Sequence, residues 1–241
     1  MALAGTGTAL ATGLGAVPVF LLGERAARIR PAMWGATVGL MTVAAVVGLL
    51  RPALEEGAPT AVAAGLVIGV MFLLASRAFL AGHDVHVGEL RGADLRRSVL
   101  VFGVLLVHSL PEGFAVGTAY GSHTAGLGLF VILAIGLQNV PEGTSVAIPM
   151  EAAGFGHVQQ FWAAVLTSAP QPIGALIAFA LVEEIGALLP LSFAFAAGAM
   201  LALVVVELLP QAYRRESWPL AVAGTVFGAA LMGTLAAALG V

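Results

Sequence analysis

No cysteine occurs among the 241 residues, and no lysine. The first absence excludes a disulfide framework and any thiolate metal site. The second leaves arginine as the only fixed side-chain cation, with 10 basic against 13 acidic residues and a formal net charge of −3. That balance offers no basic field of the kind nucleic acid requires. Charge is scarce altogether: Asp, Glu, Lys and Arg make up 10% of the chain, 60% is hydrophobic, and mean hydropathy is +1.02. A water-soluble domain of this length cannot cover its surface with so few charges, whereas a bilayer removes the need. No nucleotide-binding glycine loop is present, so nothing points to direct use of ATP.

What the chain has instead is long apolar runs. A spanning helix needs about 20 mostly apolar residues. Eight stretches qualify: Leu3–Leu22, Ala32–Leu50, Ala61–Leu80, Val99–Tyr120, Ala125–Met150, Phe161–Leu181, Leu188–Leu209 and Leu220–Leu239. None shows the polar–apolar alternation of a barrel strand. The expected fold is therefore all-α and integral to the membrane, one transmembrane domain over residues 1–241 with eight spans and no room for a soluble domain. The first run lacks a charged leader and a cleavage site, so it reads as a retained helix. The 31 glycines and abundant alanine suit helices that approach closely in lipid.

Orientation follows from the arginines. Arg25, Arg28 and Arg30 fall between the first two runs, Arg77, Arg91, Arg96 and Arg97 around the third connection, and Arg214 and Arg215 between the last two runs. With eight spans these nine share one side, and only Arg51 lies opposite, beside Glu55 and Glu56. The arginine side is the cytoplasm, which puts both termini outside. The longest connection, Ala81 to Ser98, holds His83, Asp84, His86, Glu89 and Asp94. It reads first as a solvated loop, and second as a loop that catches metal, since imidazole and carboxylate suit first-row cations. His123 and His157 are expected in short, solvated loops.

Ionisable groups deep in a bilayer are costly and usually functional. The fourth run contains His108-Ser109-Leu110-Pro111-Glu112-Gly113, and the fifth Gln138-Asn139-Val140-Pro141-Glu142-Gly143. This is an internal repeat, polar-polar-apolar-Pro-Glu-Gly. His108 and Glu112 are four residues apart and share a helix face, as do Gln138 and Glu142. If the faces meet, an imidazole, an amide and two carboxylates converge, a plausible ligand set for a borderline divalent cation. Two carboxylates cancel a 2+ charge; without a cation they would repel in a dry place. Pro111 and Pro141 withhold an N–H from the carbonyls of Val107 and Leu137, and helices interrupted in this way build midplane ion sites in transporters. The bland alternative is two kinked helices whose glutamates find other donors.

These paired segments resemble the metal-binding helices 4 and 5 of the ZIP (Zrt/Irt-like) transporters, whose signatures are His-Asn-x-Pro-Glu-Gly and His- or Gln-x-x-Pro-Glu-Gly. The stretch Ala197-Gly198-Ala199-Met200 through Glu207-Leu208-Leu209-Pro210 resembles the family's helix 7. The resemblance implies inverted repeats of helices 1 to 3 and 6 to 8 around the helix 4–5 pair (a 3+2+3 bundle) and a homodimer. It implies inward transport of zinc foremost, or of Cd, Fe, Mn or Co, across a bacterial plasma (inner) membrane. It further implies elevator-like sliding of helices 1, 4, 5 and 6 against 2, 3, 7 and 8. The metal is substrate, and no organic cofactor is expected.

The departures carry information. Many members bridge two metals with the two glutamates, using an Asn, an acidic residue and a Glu for the second ion. Here Ser109, Asn139 and Gln171 stand at the matching positions. Only Glu112 and Glu142 remain charged, and two divalent ions would set four positive charges against two negative ones. One metal is expected, held by His108, Glu112, Gln138 and Glu142, with Ser109, Asn139 and Gln171 bonding to the ligands. Met41 stands where some bacterial members use a thioether ligand; its plain reading is a core methionine. Glu207, with His83 and His86, is a candidate for the exit path. The rival readings are an intramembrane metal hydrolase, which needs an open coordination position and usually more histidines, and a metal-selective channel or sensor.

Overall fold

The computed structural model describes residues 2–82, 93–214 and 217–241. These residues are overwhelmingly helical, with no strand among them. Eight helical rods follow one another: α1 (Ala2–Leu22), α2 (Ala26–Glu56), α3 (Pro59–Phe79), α4 (Ala93–Gly121), α5 (Leu127–Ala152), α6 (His157–Glu184), α7 (Gly186–Ala212) and α8 (Trp218–Leu239). All but α4 are established, among the described residues, as long and apolar enough to cross a membrane. Proline sets the internal breaks. Turns interrupt α1 at Gly15-Ala16, just before Pro18, and α6 at Ser168-Ala169, just before Pro170. Proline has no N–H to donate to the carbonyl four residues earlier, and its ring crowds that carbonyl. π-Turns occur at Val46–Leu50 in α2 and Val204–Leu208 in α7, each shortly before a proline, Pro52 and Pro210.

Several rods outrun their apolar runs. Arg28 and Arg30, expected in a connection, lie in the first turns of α2. Arginine is a good helix former, so the helix need not stop where hydropathy does. His157 opens α6 instead of lying in a loop, and its ring stacks on Phe20 with centroids 4.5 Å apart.

Four close pairings build the bundle: α2 with α8, α3 with α7, α4 with α6, and α1 with α5. The first three use glycine pairs four residues apart. A Cβ on Gly35 or Gly39 would strike the carbonyl oxygen of Ala221 or Thr225, and one on Gly224 or Gly228 those of Ala32 or Ala36. Gly65 and Gly69 lie against Leu191 and Phe195, and Gly113 and Gly117 against Gln171 and Ala175. Small residues at such crossings let backbones approach, which drives helix association where lipid removes the hydrophobic term. Numbers rise together on both partners, so each of these pairs runs parallel. The fourth does as well: Asn139 Nδ2 donates to the Thr8 carbonyl at 2.7 Å and Thr144 Oγ1 to that of Gly15 at 2.6 Å. The rods fall into two sets, α1, α4, α5 and α6 against α2, α3, α7 and α8. The principal contacts between the sets are α2 on α5 and α4 on α7.

Candidate metal centre

α4 and α5 meet in the first set, and the repeated motif puts its polar residues at their contact. His108, Ser109 and Glu112 on α4, with Gln138, Asn139 and Glu142 on α5, are all buried, as is Gln171 at the start of the second half of α6. The i,i+4 spacing acts as the sequence implies. His108 Nε2 lies 3.3 Å from Glu142 Oε2 and 3.9 Å from Glu112 Oε1. One ligand atom from each of His108, Glu112 and Glu142 falls within 4.8 Å of the others, close enough to share one ion. Gln138 joins them by donating from Nε2 to Glu112 Oε1 at 2.6 Å.

The two carboxylates are held differently. Glu112 accepts on both oxygens, from Gln138 and, at 2.6 Å, from Gln171 Nε2 on Oε2. Glu142 Oε1 and Gln138 Oε1 are buried with no hydrogen-bond partner. A buried acceptor left bare forfeits its hydration, at about 1–3 kcal/mol. Two such oxygens beside an imidazole and a second carboxylate form a donor set of N and O atoms that fits a borderline divalent cation. Behind Glu112, Asn139 and Gln171 clasp each other: Asn139 Nδ2 donates to Gln171 Oε1 at 3.1 Å, and Gln171 Nε2 lies 3.3 Å from Asn139 Oδ1. Each amide oxygen thus accepts from the other residue's amide N–H. Ser109 Oγ donates to the Thr167 carbonyl at 2.9 Å, so it too is turned toward the backbone.

The comparisons with known proteins bear on a site of this chemistry. The family model described as ZIP zinc transporter matches residues 75–236, two of the motif's glutamates included. The zinc transporter GufA of Myxococcus xanthus is 34% identical, with the alignment covering 99% of this chain and 96% of that protein. The chain belongs to the ZIP zinc transporter family. The zinc transporter ZIPB of Bordetella bronchiseptica is 32% identical over 99% of this chain and 81% of its own length. A protein of Arabidopsis thaliana named for zinc transport is 35% identical over 87% of this chain, which spans only 34% of that protein. ZIP membership agrees with the helical, bilayer-compatible fold.

The remaining expected residues lie apart or outside. Met41 is fully buried on α2, in the apolar core with Leu40 and Ala44, and α2 packs on α5. Glu207 lies on the π-turn of α7, bound to Arg77 at 3.4 Å and to Gln211 Nε2 at 2.6 Å. His83 and His86 lie outside the described residues. Two partnerships could not be read from the sequence: that of the Thr8 carbonyl, which anchors Asn139, and that of Arg77 of α3, which reaches Glu207 and the Val206 carbonyl. The first is a backbone atom, invisible to composition. The second reads in sequence as one more arginine at a helix end.

Proposed function

We propose that this protein carries a divalent transition metal, zinc foremost, across a bacterial plasma membrane into the cytoplasm through a mononuclear site between α4 and α5. The observation that carries the reading is the pair of bare, buried oxygens, Glu142 Oε1 and Gln138 Oε1, beside His108 and Glu112 in a ZIP-family chain. Two carboxylates balance one divalent ion, and the Asn139–Gln171 clasp engages the oxygens of both neutral amides that stand where a second ion would need charged ligands. α4 completes eight spans in this reading. The parallel runs of α3 with α7 and of α4 with α6 support it, because each pair must be separated by an even number of crossings. The 3+2+3 inverted repeat is supported by the pairing pattern: exchanging α1 with α6, α2 with α7, α3 with α8 and α4 with α5 maps α2·α8 onto α7·α3, α1·α5 onto α6·α4, and α2·α5 onto α7·α4.

Transport in this scheme is elevator-like. The four-rod set holding the metal slides against the other four, and the termini face outward as the arginine distribution requires. A homodimer follows from the family resemblance. The test is zinc uptake into proteoliposomes containing the purified protein. Saturable uptake that disappears in Glu142→Ala supports a carrier working through this centre. Uptake that does not saturate identifies a channel. Hydrolysis of a lipid or amide by purified protein, without uptake, identifies the hydrolase.

A further inference from the structure

A groove of about 480 Å³ opens on the outside of the bundle where α2, α5 and α8 meet, and every residue lining it is apolar. Small side chains, Ala32 and Ala36 of α2 and Ala223 of α8, make room for it, beside a Phe227 that is 65% exposed. Along α2 the lining runs from Ala32 to Leu40, and along the parallel α8 from Ala223 to Leu231, about 12 Å in each case at about 1.5 Å per residue. Half of a hydrocarbon core about 30 Å thick is about 15 Å, so the groove has the length of one leaflet. Both stretches begin within the first two turns of their rods, which puts the groove at the arginine end of the bundle. Arg28 precedes Ala32 by four residues, so it stands on the same face of α2, one turn beyond the groove. Arg28 and Arg25 are both exposed, and the segment from Glu24 to Arg30 carries three arginines against one glutamate. Trp218 opens α8 and is 55% exposed, the place of a residue at headgroup level.

We propose that this groove seats one acyl chain of an anionic phospholipid from the leaflet at the arginine end, with Arg28 and Arg25 holding its phosphate. The inference rests on the chain's spanning a membrane and not on the metal it carries. The walls offer no hydrogen bond, which excludes a polar ligand. An acyl chain entering from lipid gains no hydrophobic free energy, so the headgroup must distinguish a held lipid from a passing one. Guanidinium groups do that for phosphate through charge-assisted hydrogen bonds. A second copy of this chain fits the groove less well, because a two-fold contact centred there sets groove against groove and leaves both hollow. The walls belong to both sets of rods, α5 to one and α2 and α8 to the other. The seated chain therefore lies across the seam, against Pro141, one residue from Glu142.

The test uses the full-length protein, stripped of lipid in detergent and titrated with dioleoylphosphatidylglycerol or dioleoylphosphatidylcholine, with bound lipid counted by native mass spectrometry. One phosphatidylglycerol per chain should bind at concentrations where phosphatidylcholine leaves none. Arg25→Gln with Arg28→Gln should weaken phosphatidylglycerol about 30-fold, since each basic residue near an anionic lipid is worth about fivefold. Ala223→Phe fills the groove from an exposed position and should abolish the one-per-chain adduct. Ala223→Leu replaces it where phenylalanine spoils the monodisperse gel-filtration peak, and the arginine pair, outside the groove, decides where neither folds. Equal binding of the two lipids overturns the proposal, as does phosphatidylglycerol binding that survives either the arginine pair or a folded groove-filling variant. A dimer that Ala223→Phe dissociates overturns it too, and assigns the groove to a second copy. Zinc is counted in the same spectra: its absence from the unaltered protein refutes the metal centre and leaves the lipid result standing.

Discussion

Glu112 and Glu142 occupy matching places in the repeat but have different duties. Glu112 is fixed by two amides, which in the proposed centre would make it an oriented counter-charge, whereas Glu142 keeps one oxygen open. On the proposed reading, replacing either with alanine would leave a dry divalent ion half neutralised. Breaking a buried charge pair costs about 3–5 kcal/mol, more than about 100-fold in affinity. Glu112→Ala and Glu142→Ala should each lose tight zinc by equilibrium dialysis and lose uptake; normal uptake in either refutes the centre. Changing both His83 and His86 should reduce uptake only modestly. Stoichiometry follows from the amides. The protein should retain one zinc per chain after gel filtration in metal-free buffer, read by native mass spectrometry. Asn139→Asp with Gln171→Glu together replaces the clasp with two acids and should add a second equivalent. If the count stays at one, geometry and not charge limits the site. The convergence of His108, Glu112, Gln138 and Glu142 was legible in the sequence, because i,i+4 spacing fixes a helix face locally. The clasp's anchor was not: Thr8 lies 131 residues from Asn139 and contributes a carbonyl any residue could offer.

Glycine determines how near the rods come. Gly39 of α2 has no room for a methyl against the Thr225 carbonyl of α8, whereas a Cβ on Gly233 of α8 would meet nothing within 4 Å. The same substitution should therefore act in opposite directions. Gly39→Ala should destabilise by about 1–3 kcal/mol through overpacking, and Gly233→Ala should stabilise by up to about 1 kcal/mol through helix propensity. Thermal unfolding in detergent measures both, and equal shifts would refute the close crossing. Small residues spaced four apart were visible in the sequence, but their partners were not, since the register belongs to two chains of side chains at once. Helix ends escaped for another reason. Hydropathy marks the part that fits lipid, and α2 runs on from Ala26 to Glu56 through polar turns at both ends. The π-turns had no sequence signal beyond a nearby proline.

At the scale of the whole molecule, two sets of four rods touch along limited seams. That division was implied by the family resemblance, and no single run of residues encodes it. Movement between the sets can be tested because the chain has no cysteine of its own. Phe195 of α7 stands between two aromatic neighbours. Phe114 of α4 meets it across the seam with ring centroids 5.4 Å apart, and Phe72 of α3 meets it within one set at 5.7 Å. If the sets slide, tying α4 to α7 must stop transport and tying α3 to α7 must not. The experiment places cysteines at 114 and 195, or at 72 and 195, and bridges them with a short reducible bifunctional thiol reagent in proteoliposomes. Bridging the first pair should abolish zinc uptake while leaving retained zinc at one equivalent, since the ligands of α4 and α5 stay within one set. A reductant should restore uptake. Bridging the second pair should leave uptake near that of the unbridged variant. Equal loss from both bridges would mean that α3 and α7 also move against each other. Undiminished uptake with the first pair fully bridged would mean that the metal passes without sliding between α4 and α7, and the elevator would have to be abandoned for a path that opens within a fixed bundle.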